Sequence, residues 1–167
     1  MKAFEEIYKI YKTDVYRFIC KLTGYNFDLS EELLQETFYQ AFLSFDRFRG
    51  ECEIRTWLCQ IAKNTYSRYV RNEIRKEHLV HKMSQDVKSN DFEVQTEKKE
   101  LLRFIQILLE ELDDRTKNII HYRMYAELKF SEIAHLLGIK ESTAKVIYCR
   151  AKVKLQIELK ERYGYEI

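Results

Sequence analysis

The chain contains no proline, and only four glycines occur in its 167 residues. With so few backbone breakers, helices are favoured nearly everywhere, ending at the glycines and at polar clusters. Long apolar runs are missing too. No stretch of about 18 apolar residues exists, which excludes a membrane-spanning helix. The amphipathic start, MKAFEEIYKI, lacks the apolar centre of an export signal. Cys20, Cys52, Cys59 and Cys149 form no CxxC or CxxxC pair, and the histidines at 78, 81, 121 and 135 complete no metal-ligand spacing. Reduced thiols in a cytoplasmic protein, without metal or cofactor, are expected. A Gly-rich phosphate loop, a nucleophile motif and a clustered acid–base pair are likewise absent, so an enzyme is not expected.

A net charge of only +2 does not advertise nucleic-acid binding, but its distribution does. From Glu53 to Lys82 seven Lys/Arg stand against three Glu, and from Lys140 to Arg162 again seven against three. Two basic islands in a balanced chain fit two separate surfaces that meet phosphates.

Apolar residues recur at helical spacing from Phe4 to Leu22, and this first helix ends near Gly24. Asp28 is expected to start a second helix, with Glu31 completing an acidic variant of the capping box. Leu29, Leu33, Phe38, Phe42 and Phe45 carry it forward. Asp46 to Glu51 breaks the pattern and reads as a loop. A third helix is expected from Glu53 to Glu77, with Ile54, Leu58, Ile61, Thr65 and Tyr69 inside. On it Asn64, Arg68, Arg71 and Arg75 form one polar, cationic stripe, either a solvated face or a nucleic-acid surface. His78 to Lys99 loses apolar periodicity and reads as a flexible polar linker. A leucine stripe from Leu101 to Leu112 is core packing. Asp113 is the expected N-cap of the next helix, which carries Ile119, Ile120 and Met124.

Phe130 to Leu155 then has the pattern of a helix-turn-helix. Ile133, Leu137, Ile139, Ala144 and Ile147 can close a small core between crossing helices. Ala134 is small where the helices approach, and Gly138 can take the left-handed turn a helix end needs. On a helical wheel Ala144, Ile147, Tyr148, Ala151 and Leu155 face inward. Ser142, Val146, Cys149 and Val153 lie opposite, with Lys145 and Arg150 at the margins.

These blocks carry a resemblance. Asp28-Leu-Ser-Glu-Glu-Leu-Leu-Gln-Glu-Thr-Phe38, Phe45-Asp-Arg-Phe-Arg-Gly-Glu51, Ile54-Arg-Thr-Trp-Leu58 and Ile61-Ala-Lys-Asn64 resemble region 2 of bacterial sigma factors, best the small extracytoplasmic-function (ECF) group. Phe130-Ser-Glu-Ile-Ala134 through Arg150-Ala-Lys152 resembles their region 4. The implied architecture is all-α: a helical domain over residues 1–77, a linker over 78–97 and a helix-turn-helix domain over 98–167. The implied partners are core RNA polymerase, through the clamp helices of its largest subunit and the flap of its second-largest, promoter DNA, and an anti-sigma factor. No insertion into a membrane is implied.

By this resemblance Asp28, Glu32, Gln35, Glu36 and Phe38 contact polymerase, with core packing the other reading of Phe38, although the family usually has Asp where Glu32 stands. Phe45, Arg47, Phe48, Arg49 and Gly50 form the loop that captures a base flipped from the non-template strand of the −10 element. The walls are Phe45 and Phe48, and the arginines hold phosphates. Asn64 meets the upstream end of that element, continued by Arg68, Arg71 and Arg75, while Trp57 is expected in the core. Ser142, Thr143, Lys145, Val146, Cys149, Arg150 and Lys152 face the −35 element. Lys145 and Arg150 reach guanine edges or phosphates, and Val146 and Cys149 meet thymine methyls or read shape. The competing reading is a stand-alone helix-turn-helix regulator, which has no use for an aromatic, arginine-rich melting loop.

Overall fold

In the computed structural model, residues 2–81 and 97–165 are described, with side chains over 4–76 and 100–165. Helix α1 (Lys2–Leu22) buries Val15, Phe18 and Ile19 along one face. It stops at Gly24, whose φ of +64° is the left-handed geometry that suits glycine. Helix α2 (Phe27–Ser44) is capped two residues earlier than expected. Asn26, not Asp28, is its cap: the Asn26 side chain accepts a hydrogen bond from the Leu29 N–H at 3.1 Å. Both are cap-forming residues with a short side-chain acceptor, and only the backbone geometry chooses between them.

A 3₁₀ turn (Phe45–Arg47) follows, and then helix α3 (Ile54–His81). The three long helices pack against one another around Val15, Phe18, Leu33, Leu34, Phe38 and Leu58. Phe18, Ile19 and Leu58 are at most 1% exposed, so each contributes about 1.5–3 kcal/mol of burial. Helix α3 continues through His81, past the expected start of the linker, and the rest of that linker, 82–96, lies outside the described residues.

Helices α4 (Glu97–Glu110) and α5 (Asp114–Ile120) begin the C-terminal unit. Asp113 caps α5 as expected, accepting from the Thr116 N–H at 3.0 Å, and hydrogen bonds from the Thr116 side chain, then from its N–H, lower the Asp113 pKa. The helix then widens into a π turn (His121–Tyr125), where Met124 is exposed while Ile119 and Ile120 before it are buried. Helices α6 (Phe130–Leu137) and α7 (Glu141–Tyr163) form the helix-turn-helix, joined at Gly138 with φ +62°. Ile133 and Ala144 meet at its centre, both fully buried.

The N-terminal three-helix unit and the C-terminal unit share one core. Ile119, Tyr122, Ala126, Leu128 and Ile133 belong to the same buried cluster as Phe18, Leu58 and Ala62. Phe18 and Tyr122 stack across the junction, with ring centroids 6.4 Å apart. Among the described residues every regular element is helical, and no helix is long and apolar enough to cross a membrane.

Candidate nucleic-acid interface

Seven residues of α7 were expected to face DNA: Ser142, Thr143, Lys145, Val146, Cys149, Arg150 and Lys152. All are exposed. The inward set holds equally: Ala144 and Ala151 are buried, and Ile147, Tyr148 and Leu155 are partly so. Phe130 packs edge-on against Tyr148, fixing α6 on α7, and Arg123 lies over the Phe130 ring at 4.8 Å. Lys145 is paired with Glu141 one turn earlier at 2.7 Å, a half-exposed pair that solvent and competing anions can exchange. The outer face is apolar in its middle, with Val146 47% and Val153 54% exposed. Hydrogen-bonding groups sit at its margins.

The loop after α2 departs from the expected picture of two free aromatic walls. Phe45 and Phe48 are both partly buried, 6.3 Å and 5.0 Å from the Trp57 ring. Trp57, expected in the core, is the partly buried plate on which they rest. Arg47, Arg49 and Gly50 remain exposed, and Gly50 has φ +71° with open space where a side chain would begin. Two clefts flank this loop. One, of about 460 Å³, is lined by Arg47, Phe48, Arg49, Cys52, Trp57 and, from α6, His135. The other, of about 500 Å³, brings Arg47 together with Asn64, Arg68 and Arg71 over an apolar floor of Leu43 and Ile61. Such a cleft can hold a base over its floor and phosphates at its rim. Asn64, Arg68, Arg71 and Arg75 are exposed on α3, as the stripe required.

On α2, Asp28, Glu32 and Gln35 are exposed, Glu36 is half-buried, and Phe38 is buried at 5%. Phe38 packs against Tyr8 at 4.7 Å and Phe4 at 6.4 Å, so it supports the face from beneath. Besides Phe27 at its start, this helix presents Tyr39, Phe42 and Leu43 outward, which were not expected there. Gln40 Nε2 and Arg68 Nη2 both donate to Glu36 Oε1, at 2.9 and 3.0 Å.

The junction between the units is polar at its edges. Glu132 is central to it. One oxygen accepts the Lys129 N–H at 2.7 Å and caps α6, and the other accepts the hydroxyl of buried Thr56 on α3. Arg55 donates to the Ala126 carbonyl at 2.6 Å and pairs with Asp14 at 3.4 Å. Lys21 donates to the Tyr125 carbonyl at 3.2 Å. Two buried groups carry a cost. Lys63 is 6% exposed with Ser67 as hydrogen-bond acceptor, and burial, then Lys117, lowers its pKa. His121 is 5% exposed with Nδ1 unpartnered among the described residues, and burial pushes its pKa down to about 3.

Two of the cysteine thiols are held protonated by their surroundings. Burial raises Cys59 to about 12, and burial with the nearby Glu132, Glu51 and Glu53 raises Cys52. Among the described residues no cluster of His, Cys, Asp and Glu is arranged to hold a metal.

Comparison with known proteins places these surfaces in a context. Residues 7–76 match the family model of sigma-70 region 2, and residues 108–156 match that of sigma-70 region 4. The ECF RNA polymerase sigma factor SigM of Bacillus subtilis is 28% identical over 154 residues, 92% of this chain and 93% of that protein. The RNA polymerase sigma factor YlaC of the same organism is 27% identical over 92% of this chain and 90% of its own length. The fold is similar to that of the sigma factor RpoE in its complex with the anti-sigma factor NepR from Bartonella quintana. The TM-score is 0.69 at 19% identity, covering 96% of this chain and 99% of that one. It is similar also to CnrH in complex with the cytosolic domain of CnrY, with a TM-score of 0.66 at 18% identity over 95% and 88% of the two chains.

Proposed function

The chain belongs to the sigma-70 family, as a sigma factor of the ECF group that serves transcription initiation, and from that premise we propose how its surfaces divide the work. It binds core RNA polymerase in the cytoplasm and gives it promoter specificity, acting by binding and strand separation without covalent chemistry of its own. The face of α2, with Glu32, Gln35 and Glu36 around Tyr39, Phe42 and Leu43, docks on the clamp helices of the largest subunit. Carboxylates and an amide beside an apolar anchor have the make-up of a protein–protein surface. The helix-turn-helix unit sits on the flap of the second-largest subunit. An anti-sigma factor holds the protein in reserve.

The cleft of Arg47, Asn64, Arg68 and Arg71 follows the non-template strand of the −10 element. A base taken out of its stack must recover several kcal/mol, and an apolar floor with cationic rims supplies it. The exposed face of α7 reads the −35 element. Lys145 and Arg150 reach guanine edges or phosphates, and Val146 and Cys149 meet thymine methyls.

The observation that carries this reading is the ordered pair of matches, region 2 over 7–76 and region 4 over 108–156, each coinciding with one basic surface. Geometry adds a requirement. Two elements about 25 base pairs apart lie roughly 85 Å apart along B-DNA at 3.4 Å per pair. A compact chain of this length is only about 40 Å across. Bound to both elements, the two units cannot keep the Thr56–Glu132 contact, so the docked arrangement opens on the promoter.

The test is reconstitution. Purified chain is added to sigma-free core polymerase with a promoter library randomised at −35, and initiating sequences are recovered. Specific initiation is expected, with Arg150→Ala losing about 1–3 kcal/mol at one base position and Val146→Ser relaxing preference for a neighbouring thymine. Failure to bind core refutes the reading.

A further inference from the structure

Arg68 lies between two surfaces that the proposed function assigns to different partners. It lines the cleft of Arg47, Asn64 and Arg71 on one side. On the other it lines a cleft of about 420 Å³ with Glu32, Gln35, Glu36 and Tyr39. Its guanidinium is drawn across to the second, where Nη2 donates to Glu36 Oε1 at 3.0 Å. Gln40 donates to the same oxygen and holds the carboxylate in place. A carboxylate and a phosphate each offer a guanidinium a pair of anionic oxygens to accept its N–H groups. Glu36 therefore occupies, from within the chain, the role a strand phosphate would play for Arg68.

We propose that Glu36 gates the nucleic-acid surface: it holds Arg68 in the free chain, and a partner whose cationic side chain claims Glu36 releases Arg68 to strand phosphates. The inference rests on the assignment of α2 to polymerase and α3 to the single strand. Side-chain exposure of 50% for Arg68 and 41% for Glu36 makes the pair exchangeable, so it weakens strand binding without abolishing it. The device joins the two functions. Binding of polymerase at α2 raises strand affinity at α3 with no movement of either helix, and strand binding favours polymerase by the same factor.

The experiment is a double-mutant cycle on the full chain without polymerase, read by the anisotropy of a short fluorescein-labelled single strand rich in A and T. Glu36→Gln is expected to bind about two- to fivefold more tightly than the wild type. Its affinity should fall more steeply with salt, by about 0.7 in the log–log slope for one added phosphate contact. In an Arg68→Gln background the Glu36→Gln gain should vanish. Glu32→Gln, which removes the same charge one turn away, should show no gain that depends on Arg68. An equal Glu36→Gln gain in both backgrounds would mean general charge repulsion and overturn the gate, as would no gain at all. If Arg68→Gln, Arg71→Gln and Asn64→Ala all left strand binding at the wild-type level, the assignment of α3 itself would fall.

Discussion

His121 gives the junction between the two units a pH dependence that can be worked out in advance. Its imidazole lies 5% exposed in the π turn, stacked on Tyr125 with centroids 5.1 Å apart, and Nδ1 has no partner among the described residues. The groups around it are Lys63 and Tyr66 of α3, Lys117 of α5, Lys21 of α1, Gln106 and Glu110 of α4, and Tyr125. Burial, then the two cations Lys63 and Lys117, pushes its pKa down to about 3 from an ordinary value of 6.5. The native state thus keeps His121 neutral, whereas the unfolded chain takes up a proton near pH 6.5. Stability from this group is fully present above that pH and is lost as pH falls towards 3. Between pH 7.5 and 5.5 the loss comes to about 1.4 kcal/mol, before carboxylates begin to titrate. The assay is urea unfolding at the two pH values, comparing wild type with His121→Phe, which keeps a ring against Tyr125 and removes the proton site. Wild type should lose about 1.4 kcal/mol more than the variant. An equal loss in both would refute the burial argument.

Two further outcomes follow from local geometry. Gly24→Ala should cost about 1 kcal/mol in the same unfolding assay. Its φ of +64° is unfavourable for alanine, while the Gln106 amide that the new methyl would meet is the free end of a side chain and can turn away. A cost near zero would show that the α1–α2 turn relaxes. At pH 7.5 in the native protein, a maleimide should label Cys149 quickly and Cys20, Cys52 and Cys59 slowly. Cys20 and Cys59 are buried, and the raised pKa values of Cys52 and Cys59 keep those thiols protonated. Mass spectrometry of Cys149→Ser, with its fast adduct absent, checks the assignment. Fast labelling of Cys59 would mean that α3 separates readily from its neighbours.

The helix-turn-helix was legible because its requirements are local. A left-handed glycine at 138 and apolar residues three and four apart fix the turn and the buried side of α7 together. The Asp113 cap was legible for the same reason. Phe38 was not settled, because apolar residues fall on both sides of the second half of α2. Leu33, Leu34, Phe38 and Ala41 go inside while Tyr39, Phe42 and Leu43 stay outside, and periodicity cannot choose between two such sets. Phe45 and Phe48 escaped because Trp57, the ring that draws them in, acts through tertiary packing. The docking of the two units left no trace in the pattern. It depends on pairs such as Thr56 with Glu132 and Arg55 with Ala126, more than seventy positions apart. The π turn and the left-handed Glu127, φ +58°, carry no glycine to announce them.

The central claim is that one chain carries two promoter surfaces, docked when free and parted when polymerase spreads them along DNA. Fluorophores placed through non-canonical amino acids at exposed Thr13 on α1 and Glu161 on α7 report it directly by energy transfer. The account predicts high transfer in the free chain and low transfer once core polymerase and a cognate promoter are added. Low transfer in the free chain, or high transfer retained in an initiating complex, would contradict it.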